Sequence, residues 1–70
     1  MENQDLIALG KRVKELRLEK NLTQFELGAR IGKNASSIGR LETGRVNPSF
    51  LYLKELAKGL EVPLTTLLDY

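Results

Sequence analysis

Apolar residues recur along this chain at helical spacing, and nowhere is there a sustained alternation that would mark a strand. Leu6, Leu9, Val13 and Leu16 share one side of a helix expected from Asp5 to Lys20, and Gly10 and Arg17 lie on that same side. Asn21-Leu22 makes the first break. A second helix starts at Thr23, where Thr23-Gln24-Phe25-Glu26 reads as a capping box: the hydroxyl takes an orphan N–H and the carboxylate reaches back. Its inward residues are Leu27 and Ile31, Gly28 allows another backbone to approach, and Gly32 suits the left-handed position after its end. Only Lys33 and Asn34 precede the third helix, Ala35 to Thr43, with Asn34 as its cap and Ile38 and Leu41 pointing inward. Gly44 stops it.

After the loop Arg45-Val46-Asn47-Pro48, Ser49 caps a fourth helix from Phe50 to Leu60. Phe50, Leu53, Leu56, Ala57 and Leu60 share its expected core face, while Leu51 and Tyr52 fall on the exposed side or its edge. Val62-Pro63 opens a last short helix, Leu64 to Leu68, with Pro63 at its first position. The pattern therefore predicts an all-α fold of five helices. The second and third, joined by a tight glycine-led turn, make a helix-turn-helix over residues 23–43.

Composition narrows the function more by exclusion than by suggestion. With 70 residues, a single helix-turn-helix domain spanning residues 1–70 is expected, with no second effector-binding domain. A hydrophobic share of 41% is enough for one core and too high for a disordered segment. The chain has no Cys and no His, which excludes disulfides, thiolate zinc sites and the commonest general base. No nucleophile–base pair or phosphate-cradling glycine loop is visible either, so the expectation is a non-enzymatic protein with no cofactor, metal or small-molecule ligand. The acidic start, Met1-Glu2-Asn3-Gln4-Asp5, does not read as a signal peptide. No apolar run approaches the ~20 residues a membrane span needs, and a cytoplasmic location is expected. A net charge of +2 permits an anionic partner without demanding one. Placement of charge must decide.

Gln24, Leu27, Gly28, Gly32, Ile38, Glu42, Gly44 and Pro48 stand at spacings that resemble the Cro-type (XRE-like) helix-turn-helix repressor family, which includes the short restriction–modification controller proteins. The resemblance continues through Ala57, Leu60, Val62 and Leu64, and so covers nearly the whole chain. It implies a five-helix, lambda-repressor-like domain that binds double-stranded DNA, in a bacterial or phage-encoded protein. The family usually has Ala at position 28 and often Ser at 39; this chain has Gly at both. Gly39 should weaken the third helix by roughly 0.5–1 kcal/mol relative to Ala. Backbone can approach DNA closely there.

The resemblance also implies roles. Positions matching Ala35, Ser36 and Arg40 face base edges, and a guanidinium can donate two hydrogen bonds to guanine O6 and N7. The blander readings of Arg40 are a phosphate contact or a solvated charge. The position matching Gln24 touches the DNA backbone, at a helix start where free N–H groups favour phosphate. Lys33, Asn34, Ser37, Thr43 and Arg45 surround the recognition helix as candidate phosphate ligands, which position without reading sequence. Arg17, on an apolar stripe, and Glu42, beside inward Ile38, read as a partly buried ion pair of structural purpose. Family dimers form through the fourth and fifth helices and their connecting loop, which makes Leu51, Tyr52, Val62, Leu68 and Tyr70 the candidate homodimer interface. A twofold dimer implies a near-palindromic operator.

Two other functions compete. An antitoxin of the same fold would bind a toxin as well as its operator, for which exposed Leu51, Tyr52 or Phe25 would speak. A protein-interaction module without DNA binding is disfavoured by a basic recognition surface carrying Arg40.

Overall fold

The computed structural model describes residues 3–70, and among them every regular element is a helix. The helices are α1 (Gln4–Glu19), α2 (Gln24–Ile31), α3 (Ala35–Glu42), α4 (Phe50–Gly59) and α5 (Leu64–Leu67). Each expected helix is present, with ends shifted by one residue where local capping decides. Asn3 starts α1 earlier than expected, because its Oδ1 accepts from the Asp5 and Leu6 N–H groups at 2.9 and 3.3 Å. Lys20 caps the other end and Asn21 follows at a left-handed φ of 57°. Thr43, Leu60 and Leu68, expected inside their helices, are instead C-caps. Pro63, expected as the first residue of α5, is its N-cap, with ψ of 151° outside the helical range. None of the described helices is long and apolar enough to cross a membrane.

The α2–α3 pair packs together and rests on α1 through α3, while α4 backs α2 and α5 closes against α1 and α4. Val13, Leu27, Ile38, Leu56, Leu60 and Leu67 meet at the centre with no exposed surface. Leu22, read only as part of a break, is buried as well and plugs the α1–α2 corner. Gly10 explains itself here. A Cβ at that position would stand 2.5 Å from the Glu42 carbonyl and 2.6 Å from that of Leu41, so α1 crosses the end of α3 backbone to backbone.

One core assignment is corrected. Phe50, placed by periodicity on the inner face of α4, is 64% exposed. It is the first residue of α4, beyond the reach of the neighbouring helices, and its ring instead lies under Lys54 Nζ at 5.6 Å. Leu56, Ala57 and Leu60 carry the buried face, with Leu53 half-buried beside them.

Candidate nucleic-acid interface

The recognition segment is set by short-range chemistry at both ends of the turn. Thr23 Oγ1 accepts from the Glu26 N–H at 3.0 Å, and Glu26 Oε1 accepts from the Thr23 N–H at 2.9 Å, which closes the capping box at the start of α2. Those bonds hold the Glu26 carboxyl below the usual carboxylate range. At the other end Gly32 turns the chain with φ of 71°. The Lys33 N–H returns to the Gly28 carbonyl at 2.9 Å, and the Lys33 carbonyl occupies the space a Cβ on Gly28 would need. Asn34 then caps α3, its Oδ1 accepting from the Ser37 N–H at 2.8 Å.

Ile38 and Leu41, both buried, pin the underside of α3. The opposite side is left open: Ser36 and Arg40 are exposed, and Ala35, Ser37 and Gly39 are half-exposed. Arg40 has a single long contact, Nη2 to Ser37 Oγ at 3.4 Å, and so remains available to an outside acceptor. Gly39 is not a packing requirement. A Cβ there would meet only the Gln24 amide, at 3.6 to 4.0 Å. Thr43 is exposed, but its hydroxyl turns back and donates to the Gly39 and Arg40 carbonyls at 3.0 and 3.2 Å.

Behind this surface lies a charged knot. Arg17 Nε donates to Glu42 Oε2 at 2.6 Å and Arg17 Nη2 to Oε1 at 3.1 Å, with both residues 7% exposed. Arg17 Nη1 donates to the Leu22 carbonyl at 2.8 Å, tying in the α1–α2 corner. Gln24 is the member that sequence reasoning missed: its Nε2 donates to Glu42 Oε1 at 3.1 Å. This fixes the half-buried amide at the start of α2 while leaving its second N–H hydrogen free. No local sequence signal links residues 24 and 42; only the packing of α2 on α3 brings them together.

Lys33, Arg40 and Arg45 are exposed on or beside α3, whereas the acid among them, Glu42, faces inward. On α4 and after α5, Leu51, Leu68 and Tyr70 are exposed, and Phe50 joins them. Val62 and Tyr52 are only half-exposed and pack on the core. An open groove of about 390 Å³ follows α4 beside Leu51, Lys54, Glu55 and Lys58.

This arrangement of capped, tightly joined helices with a supported outward face defines a class. Residues 13–67 match the helix-turn-helix family, and the chain belongs to it. An uncharacterized HTH-type transcriptional regulator of Sinorhizobium fredii is 44% identical over 54 residues, covering 77% of this chain and 70% of that protein. Among solved structures, the restriction-modification controller protein C.AhdI of Aeromonas hydrophila superposes with a TM-score of 0.88 at 34% identity, over 91% of this chain and 93% of that one. A mutant of the restriction-modification controller protein C.Esp1396I gives 0.89 at 29% identity, over 99% of this chain and 87% of its own.

Proposed function

We propose that this chain, a helix-turn-helix DNA-binding transcriptional regulator, acts as a homodimer on a near-palindromic operator, with α3 in the major groove. Arg40 and Ser36 read base edges there, and Ala35 abuts a thymine methyl. Gln24, Lys33, Asn34, Ser37 and Arg45 hold phosphates, and Thr43 offers at most its hydroxyl oxygen, since its proton is directed to its own helix. The dimer forms through α4 and α5, where Leu51, Leu68 and Tyr70 are exposed, with Val62 and Tyr52 at the margin. The protein works without catalysis or cofactor, in the cytoplasm of its host.

One observation carries this reading: α3 is held from beneath by Ile38, Leu41 and the Arg17–Glu42 pair, while Ser36 and Arg40 stay exposed. The test is selection of bound duplexes from a random pool, followed by binding across a salt series. A twofold motif should emerge, and log affinity should fall steeply with log salt as counterions are released. Arg40→Ala should relax preference at one base pair per half-site, at about 1–3 kcal/mol. An equal loss on every sequence would make Arg40 a phosphate ligand instead, and a flat salt response would remove DNA from the reading altogether.

The antitoxin reading is favoured by Phe25, 70% exposed at the start of α2 and used by neither DNA nor the dimer in the scheme above. A stoichiometric second protein that copurifies with the chain and is lost on Phe25→Ala would establish it.

A further inference from the structure

Tyr52 stands out among the residues that the DNA-reading scheme does not use. It sits on α4, outside the helix-turn-helix, and its backbone is fixed in the first turn by a hydrogen bond from its N–H to Ser49 Oγ at 3.1 Å. Its ring packs against the core, and its hydroxyl is buried with no hydrogen-bond partner. Burial raises the pKa of that phenol, with smaller effects from Arg40, which lowers it, and Glu55, which raises it.

Lys33 Nζ lies over this ring, 4.8 Å from its centroid, within the range of a cation–π contact. The backbone of Lys33 is held as firmly, because its N–H donates to the Gly28 carbonyl and its own carbonyl fills the space beside Gly28. A lysine otherwise swings freely on a four-carbon stem and loses that freedom when it meets an anion. Here both ends of the side chain are constrained before any ligand arrives.

We infer that Tyr52 is a positioning residue for DNA binding: its ring holds the Lys33 ammonium at the α2–α3 turn, ready for a backbone phosphate, so that α4 takes part in the DNA surface without touching DNA. The inference rests on the reading of Lys33 as a phosphate ligand, and the test separates the two. Affinity for a short fluorescein-labelled duplex of mixed sequence is measured across a salt series for the full chain and for Lys33→Ala, Tyr52→Leu, Tyr52→Phe and the Lys33→Ala/Tyr52→Leu double variant.

Lys33→Ala should flatten the slope of log affinity against log salt by about 0.9 for each bound copy of the chain, and so by about twice that for a dimer. Tyr52→Leu should weaken binding about two- to fivefold for each bound copy, the equivalent of an exposed cation–π contact, and Tyr52→Phe, which keeps the ring, should restore it. In the Lys33→Ala background Tyr52→Leu should cost nothing further when affinities are compared at equal dimer fraction, read by sedimentation, because Tyr52 also stands at the margin of the proposed dimer. An unchanged salt slope in Lys33→Ala overturns the phosphate reading of Lys33 and the inference with it. A normal Lys33→Ala effect combined with an equal Tyr52→Leu loss in both backgrounds overturns the inference alone, since a merely structural tyrosine behaves that way. Nuclear magnetic resonance of the unaltered protein removes any dependence on variant folding. The Lys33 ε-protons should be shifted upfield by the ring and stay so with duplex bound; loss of that shift on binding shows the lysine leaving the ring and overturns the inference.

Discussion

Glu42 illustrates how much a single residue carries at this site. Its two oxygens accept from Arg17 twice and from Gln24 once. A buried carboxylate opposite a buried guanidinium is tolerable only while both are paired. Glu42→Ala should therefore cost about 3–5 kcal/mol in urea unfolding, because it strands Arg17, whereas replacing both partners with apolar residues of similar volume should be near neutral. A loss for the single change no larger than that of an exposed ion pair would contradict the burial seen here. Gly39 makes the opposite case. A methyl group at that position finds ordinary contact distances inside the protein. Gly39→Ala should consequently stabilise the fold by about 0.5–1 kcal/mol, the helix-propensity difference, while adding a methyl to the face proposed to meet DNA. If thermal unfolding moves downward instead, the glycine serves the interior of the protein and not its ligand.

At the scale of elements, the helix ends are governed by side chains three residues away. Thr23 and Glu26, Asn34 and Ser37, and Ser49 and Tyr52 each close such a cap. These pairs were readable in advance because their geometry needs nothing beyond the local backbone. The capping box also has a pH signature. The Glu26 pKa is lowered chiefly by the Thr23 backbone and side-chain hydrogen bonds. A depressed folded-state value means that the ionised form stabilises the fold above the ordinary carboxylate range, and that this contribution is lost as pH falls through the folded value. Glu26→Gln should hence lower the urea midpoint most at neutral pH, and the gap should narrow in acid. A gap of constant size from neutral to acid pH would show that the ionised carboxylate is not what matters. Periodicity was less reliable at the first turn of α4. It correctly assigns Phe50 to the same side as Leu53 and Leu56 but says nothing about where the neighbouring helices stop.

For the molecule as a whole, size bears on the proposed pairing. The described residues extend at most 29 Å, shorter than the ~34 Å between successive major-groove faces on one side of DNA. One chain also offers a single α3. Reading two half-sites requires two copies, and α4–α5 offers exposed Phe50, Leu51, Leu68 and Tyr70 for that contact. If the dimer forms there, the thermal midpoint should rise with protein concentration, because association stabilises only the folded state. Leu51→Glu should abolish that dependence and yield monomers in sedimentation, with operator affinity falling and half-site affinity kept. A concentration-independent midpoint in the parent together with unchanged sedimentation in the variant would place the dimer contact elsewhere, or nowhere.

The order of the helices, the turn between α2 and α3 and the caps at their starts were determined by the sequence alone, since each depends on residues within one helical turn or on a repeating apolar stripe. The side of α3 that faces outward was determined the same way, once Ile38 and Leu41 marked its underside. Only the tertiary structure decided that Gln24 joins Glu42, eighteen positions away in the chain, that Phe50 overhangs the core, and that Tyr52 reaches under Lys33. Those three outcomes depend on where separate helices end and how closely they cross. Spacing along one helix gives the direction of a side chain and carries no information about what it meets.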